Sequence, residues 1–406
     1  FVVFAFSYLI RVLLGMPNYD ALYASITLLV ALSPCALVIS TPATTLSALS
    51  WAARKGILVR GGEFLEKIAT IRNACFDKTG TLTTGKPQLV QVCVCTPDPS
   101  RGESCITESA CWHGGETIEP AAAEALAFAA AMEQHSTHPI AEAVVRAAER
   151  FQLPLPELSN HRDLPGLGVS AEFNGVEVKV GQRKFFQDLN QDFSEHILKL
   201  ESKGYTVAIC QVGTTLTALA LQDEPVPAAK NVIAEVNSLG IRTLMLSGDN
   251  PATAQAVAEK VGIKEVHAHL MPKDKTEIIE KLEGEGGTIM VGDGINDAPS
   301  LTRASVGIAM GGLGSDIALN AADIVLMNDK IERIPDTVRL GRRCVGIIRA
   351  NLILSISVVI ILTIFSFFGK LPLPIAVLGH EGSTVVVILN GLRMLGGPGR
   401  SKFQSA

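Results

Sequence analysis

Charge is missing from long stretches of this chain, and that constrains its fold more than any other feature. No Asp, Glu, Lys or Arg lies between Asp20 and Arg54, and none between Arg349 and Lys370. Between Lys370 and Arg393 the only charge is Glu381. A helix needs about 20 mostly apolar residues to cross a bilayer. Residues 21–53 suffice for one span plus an extension, and 350–368 and 371–392 for one span each. The apolar run 1–14 is shorter and has neither a Met start nor a basic leader. It reads as the end of a span cut at its start, not as a signal peptide. Of the 35 Lys and Arg and 40 Asp and Glu, all but seven fall between Arg54 and Arg349. There the charged fraction is ordinary for soluble domains, so a soluble body is inserted between membrane segments. This excludes a purely soluble enzyme, a coiled coil, a disordered chain and a many-helix carrier. A formal net charge of −5 argues against nucleic acid as a partner.

Basic residues gather at Arg54, Lys55 and Arg60, at Arg339, Arg342, Arg343 and Arg349, and at Arg393, Arg400 and Lys402. Loops 15–20 and 369–372 are poor in them. By the positive-inside rule the body and the C-terminus are cytoplasmic, and the protein is expected to be a multi-pass protein of the plasma membrane. The eight cysteines of such a chain should mostly be free thiols. Cys93, Cys95, Cys105 and Cys111 sit with His113 in 90–119, which reads as a Pro-, Ser- and Gly-rich loop insertion. Their spacings match no common zinc pattern.

In the body, short apolar strands at 74–76, 243–247 and 288–291 end in Asp77, Gly248-Asp249 and Gly292-Asp293. Helical patterns at 228–239, 251–261 and 274–283 lie between them. The alternation predicts a parallel sheet with helices on both faces, and such sheets bind ligands at the carboxyl ends of their strands. Residues 88–221 break the rhythm, with helices at 121–132 and 140–151 and strands at 168–173 and 176–181. They read as an inserted α+β domain.

Asp77 lies in Asp77-Lys78-Thr79-Gly80-Thr81. A carboxylate on a sharp turn at a sheet edge can act as a nucleophile, and its natural electrophile is a phosphoryl group bound with Mg²⁺. Asp77, Thr79, Asp293 and Asp297 offer the hard oxygen ligands that Mg²⁺ takes. Lys275 can neutralise the transferred phosphoryl, and Ser247 or Thr79 can donate to its oxygens. One such Asp would usually be an ordinary strand-to-turn residue. Three acidic strand ends and a Lys on one edge argue otherwise.

The Asp77–Thr81 segment resembles the phosphorylation motif of P-type ATPases, within the haloacid-dehalogenase superfamily. Ser247-Gly248-Asp249-Asn250, Pro272-Lys273-Asp274-Lys275 and Gly292-Asp293-Gly294-Ile295-Asn296-Asp297 follow in the family's order, and the resemblance covers nearly the whole chain. It implies ATP and Mg²⁺ as cofactors, with Asp77, Lys78, Thr79, Ser247, Gly248, Asp249, Lys275 and Asn296 in the catalytic set. In hydrolytic relatives the residue two after the nucleophile is a second Asp. Here it is Thr79, which cannot serve as an acid or base near neutral pH, so an aspartyl phosphate should persist. His135-Ser136-Thr137-His138-Pro139 resembles the nucleotide-binding signature of the heavy-metal subgroup. It implies that His138 and Pro139, with Glu133 and the glycines Gly166, Gly168 and Gly181, hold the nucleotide.

In the membrane, Ser33-Pro34-Cys35 interrupts an uncharged span, where Pro34 removes a backbone hydrogen bond. His380-Glu381-Gly382-Ser383-Thr384 puts polar groups into another span, where they are costly and usually functional. Thiolate, imidazole and carboxylate, with the hydroxyls of Ser33 and Thr384, suit Zn²⁺ or Co²⁺. The two motifs resemble the subgroup with Ser-Pro-Cys and His-Glu-Gly-Gly-Thr, which implies export of cobalt or zinc, and extends to cadmium. Ser383 departs from that pattern.

The expected segments are spans at 1–53, a phosphorylation domain at 54–87 and 222–345, a nucleotide-binding domain at 88–221, two spans at 346–395 and a tail at 396–406. No Thr-Gly-Glu triplet of the family's actuator domain occurs. The chain alone is therefore expected to form the aspartyl phosphate, to break it down slowly and not to transport. The competing readings are a membrane-anchored phosphatase, opposed by Thr79, and a non-catalytic metal sensor, opposed by the intact Asp77, Lys275 and Asp293.

Overall fold

The first long apolar stretch does not run as one helix. A helix over Asn18–Ala31 stops, and a second starts at Cys35 and continues to Arg54. Pro34 stands between them with φ −90° and ψ 34° and has no N–H to continue the ladder. In this computed structural model the described residues are 2–96, 111–136, 138–164, 166–186, 189–293, 297–311, 320–368 and 371–398. They form two compact units, one of Phe1–Arg72, Leu282–Ile289 and Leu301–Ala406, the other of Asn73–Lys281 and Met290–Ser300.

The first unit holds the apolar helices. Asn18–Arg54, Arg333–Phe367 and Leu373–Gly396 are long and apolar enough to cross a membrane. The middle one begins well before the expected 350. Its first turns carry Asp336 between Arg333 and Arg339, and one unbroken helix of 35 residues runs on into the apolar stretch. Side-chain amides tie this helix to the next. Asn351 Nδ2 donates to the Val387 carbonyl at 3.2 Å, and Asn390 Nδ2 donates to Asn351 Oδ1 at 2.7 Å. Such bonds matter in lipid because hydrophobicity does not drive helices together there. Strand Ile57–Val59 pairs antiparallel with Ile324–Leu326, which runs parallel to Val306–Met310.

The second unit carries two sheets. In one, strand Asn73–Asp77 lies between Thr288–Gly292 and Arg242–Leu246, with Glu265–His267 beyond. Ala74, Cys75 and Phe76 are fully buried, as befits a strand covered on both faces. The pairing of Arg242–Leu246 with Asn73–Asp77 is parallel and sets Leu246 opposite Asp77. Residues after Leu246 therefore emerge at the same edge as those after Asp77.

The other sheet is antiparallel, in the order Cys111–Trp112, Gln88–Cys95, Thr215–Gln222, Thr206–Val212, Val176–Gly181, Gly168–Phe173 and Ser159–Leu164. Helices Pro120–Glu133 and Pro139–Arg150 cover one face over Leu89, Val92 and Val94. Helix Gln191–Ser202 covers the other over Cys93, Cys95 and Cys111. Two expectations fail here. The start of 90–119 is not loop but part of an eight-residue strand, because Gln91-Val92-Cys93-Val94-Cys95 alternates between two buried faces. And Cys93 is not a free thiol. The antiparallel register sets it opposite Cys111, with Cα atoms 4.1 Å apart, and the two form a disulfide. Cys105 lies outside the described residues. Among the described residues, Cys35, Cys210 and Cys344 stand outside any disulfide.

Candidate functional site

Asp77 is the last residue of its strand and is 6 % exposed. The chain then turns through Lys78–Leu82, where Gly80 takes φ +69°, a conformation that costs an L-residue about 1–2 kcal/mol. A Cβ at Gly80 would also lie 3.3 Å from Asp293 Oδ2, so glycine is needed for both the turn and the close approach of that carboxylate. Thr79 stands exposed at the open side of the turn. Thr81 is buried, and its hydroxyl has no hydrogen-bond partner.

Lys275, near the start of helix Pro272–Glu285, reaches the same point. Its Nζ donates to Asp77 Oδ1 at 2.5 Å and to Asp297 Oδ1 at 2.8 Å. All three side chains are nearly buried. Burial, then the charge of Asp297, pushes Asp77 up to about 7, against the pull of Lys275; Asp293 adds a smaller push. Burial works against the charge of Lys275, but Asp77 and Asp297 outweigh it and hold the ammonium above its ordinary value. The cluster is thus two crowded carboxylates locked to one cation, with a third carboxylate at the turn.

Lys78 is ion-paired with Asp249. Ser247 is buried, and its Oγ accepts from the Asp249 N–H at 3.1 Å. The strand-end loop is held by its backbone, with the His269 N–H donating to the Asp249 carbonyl. The structure thus brings Asp77, Lys78, Lys275, Asp249, Asp293 and Asp297 to one edge. Asn296 lies outside the described residues. Asp223 was not singled out from sequence. Its carboxylate accepts from Thr83 Oγ1 at 2.6 Å and Thr84 Oγ1 at 3.0 Å, and Thr83 Oγ1 also reaches the Lys78 carbonyl. It braces the exit of the Asp77 turn where the antiparallel sheet returns. The only sequence signal was its place at the end of that sheet.

In the second sheet, Glu133 ends helix Pro120–Glu133. Burial raises its carboxyl, with the Ser136 hydrogen bond opposing and Asp163 adding. His138 caps the next helix, its Nδ1 accepting from the Ile140 N–H at 3.2 Å, and Pro139 is the first helical residue. Burial lowers the His138 imidazole. Gly168 and Gly181 face each other across paired strands. A Cβ on Gly168 would lie 2.1 Å from the Val180 carbonyl, and one on Gly181 2.3 Å from that of Leu167. Cross-strand packing by itself requires both glycines. Gly166 has φ +74° and open space around it.

In the membrane unit, Ser33 Oγ and Cys35 Sγ lie 3.1 Å apart at the helix break. His380 is buried, and Glu381 lies beside it at 3.8 Å with its side chain 66 % exposed. Ser383 and Thr384 turn their hydroxyls back onto the His380 carbonyl at 2.7 and 3.2 Å. The hydroxyl of Ser383 is thus spent on its own helix. Among the described residues, Cys35, His380 and Glu381 do not form a cluster of donor atoms within 4.8 Å of one another; one such cluster exists elsewhere, at Cys93, Cys111 and His196.

Residues 71–305 match the haloacid dehalogenase-like hydrolase family. A cadmium-transporting ATPase of Staphylococcus aureus is 39 % identical over 387 residues, covering 92 % of this chain and 50 % of that protein. A zinc-transporting ATPase of Bacillus subtilis is 38 % identical, covering 94 % and 57 %. The chain therefore spans about half the length of the curated relatives it matches. Among solved structures, a zinc-transporting PIB-type ATPase in its E2.Pi state is similar at a TM-score of 0.75 and 37 % identity, over 97 % of this chain and 61 % of that one. The three long apolar segments found among the described residues and these likenesses are those of an integral membrane protein.

Proposed function

Because this chain belongs to the haloacid dehalogenase-like hydrolases, we propose that it is the phosphorylating and metal-passing part of a P-type ATPase that exports a divalent soft metal ion. The segment order read from sequence, with the phosphorylation domain split around a nucleotide-binding domain, is part of that reading, as is a cytoplasmic body. Asp77 is the nucleophile. One of its carboxylate oxygens forms a bond to the γ-phosphorus of ATP, the bond from that phosphorus to the β–γ bridging oxygen breaks, and ADP leaves. The observation that carries the reading is the buried Asp77 carboxylate held at 2.5 Å by Lys275, with Thr79 where a hydrolase would keep a second acid.

Lys275 binds the carboxylate and meets the incoming phosphoryl with positive charge. Asp297 orients Lys275. The crowding that pushes Asp77 upward fits a site built to receive a cation, and Asp77, Asp293 and Asp297 would hold Mg²⁺. That ion supplies charge neutralisation for the phosphates. Thr81 has a spare buried hydroxyl to donate. Thr79 cannot take a proton from water near neutral pH, so the acyl phosphate outlives its formation. Glu133, His138 and Pro139 would meet the adenine end of ATP. The cargo is Zn²⁺ or Cd²⁺, with Co²⁺ a further candidate, taken by Cys35, His380 and Glu381 with Ser33 and Thr384.

The test is phosphoenzyme formation from γ-labelled ATP across Zn²⁺, Cd²⁺, Co²⁺ and Cu⁺. An acid-stable, hydroxylamine-sensitive label is expected, absent in Asp77→Asn and dependent on Cys35 for the ion that drives it. No label with any ion would sink the reading.

A further inference from the structure

Away from both sites, Cys93, Cys111 and His196 each offer one donor atom, all within 4.8 Å of one another. Three elements meet there. Cys93 and Cys111 face each other on paired strands, and His196 projects from helix Gln191–Ser202, which covers that face of the sheet. Both sulfurs are buried among Phe193, Ile197 and Leu200. Two details go beyond a strand-to-strand staple. His196 Nε2 is buried and has no hydrogen-bond partner, although a buried ring nitrogen normally has one. And Gln91 Nε2 donates to Cys93 Sγ at 3.0 Å, a contact that favours a thiolate.

We propose that Cys93, Cys111 and His196, once the disulfide is reduced, bind one soft divalent cation such as Zn²⁺ or Cd²⁺ on the soluble body, apart from the transmembrane path. In the structure the two sulfurs are oxidised to a disulfide. A cytosolic environment keeps thiols reduced. Two low-molecular-weight thiols convert the bridge to two Cys thiols and leave as their own disulfide. The cation then replaces the two thiol protons, which go to solvent, and takes the imidazole as third ligand. Two thiolates and an imidazole are a donor set that selects zinc-like ions over Mg²⁺ or Ca²⁺. Bound metal would pin strands Gln88–Cys95 and Cys111–Trp112 to helix Gln191–Ser202 in place of the covalent link. The site would answer to both metal level and redox state. It stands independently of the Asp77 reading.

The experiment titrates Cd²⁺ into the detergent-solubilised chain carrying Cys35→Ala, so that the transmembrane sulfur does not contribute, and follows the ultraviolet thiolate-to-cadmium charge-transfer band. After reduction by a phosphine and its removal, one equivalent of Cd²⁺ is expected to develop the band. Reoxidation with diamide should abolish it and fresh reductant restore it, a comparison that needs no further mutation. Cys93→Ser and Cys111→Ser should each lose it. His196→Ala should weaken Cd²⁺ binding by at least about 10-fold, the lower end of what losing even an outer partner costs a metal site. Absence of the band in the reduced chain, or a band that survives in both serine variants, would overturn the proposal and leave the pair a disulfide staple.

Discussion

Lys275 bridges Asp77 and Asp297 inside a nearly closed pocket, so Lys275→Met removes the bridging charge while leaving a side chain of similar length. Lys275 and the two carboxylates are at most 9 % exposed, so solvent screening does little. Taking one partner from a buried ion pair costs about 3–5 kcal/mol, because the other charge stays behind. For a domain of roughly 150–250 residues each kcal/mol moves the thermal midpoint by about 2–4 °C, so the expected loss is about 6–20 °C. The loss also has a pH signature. Asp77 stands at about 7 in the folded protein against an ordinary 3.8. Its raised value means that ionising it costs stability progressively as pH climbs from about 4 to about 7. Without Lys275 the attraction that lowers it is gone, and the value moves further up. Below pH ~7 Asp77 is protonated in both proteins and adds nothing to their difference. Above it, the wild type ionises beside Lys275 and the variant must either stay protonated or strand a charge. The share due to Asp77 therefore emerges only on the alkaline side, on top of a share from Asp297. Thermal unfolding followed by near-ultraviolet circular dichroism, at about pH 5.5 and about pH 8.5, constant ionic strength and no divalent ion, measures both shares. A midpoint loss that is equal at the two pH values, or greater at the lower one, would refute the reasoning.

Gly80→Ala places an L-residue at φ +69° and pushes on Asp293, so a loss of about 1–2 kcal/mol is expected in thermal unfolding, together with a lower phosphoenzyme yield. His138→Asn keeps a helix-capping side chain but removes the ring. The thermal midpoint should hold while ATP affinity, read by calorimetry, falls about 5- to 150-fold, the worth of one stacked base; unchanged affinity would reduce His138 to a cap. Asn351→Leu removes the amide bonds to Val387 and from Asn390. Equilibrium unfolding in mixed micelles should show a loss of about 1–3 kcal/mol, since each interhelical bond contributes about 0.6–1.7 kcal/mol.

What could be read in one dimension was chemistry carried by a single strand end or turn. Asp77, Ser247-Gly248-Asp249 and Asp293 each follow an apolar run, and parallel pairing brings such ends to one edge without further information. The break at Ser33-Pro34-Cys35 was legible for the same reason, since Pro34 acts within its own helix. Features that depend on how distant segments meet were not legible. Nothing in an 18-residue separation says that Cys93 will stand opposite Cys111; the register of strands Gln88–Cys95 and Cys111–Trp112 decides that. The rotation of the last helix, which no local pattern sets, buries His380 and turns Glu381 outward. Gly168 and Gly181 show how the distinction can mislead. Their motif pointed to a ligand, whereas the contact that forbids a Cβ at each is the other's strand. A nucleotide can still approach there, but the glycines would be required without one. In the proposed nucleotide site, recognition would therefore fall on Glu133 and His138, whose perturbed titration has burial, not strand packing, as its first cause.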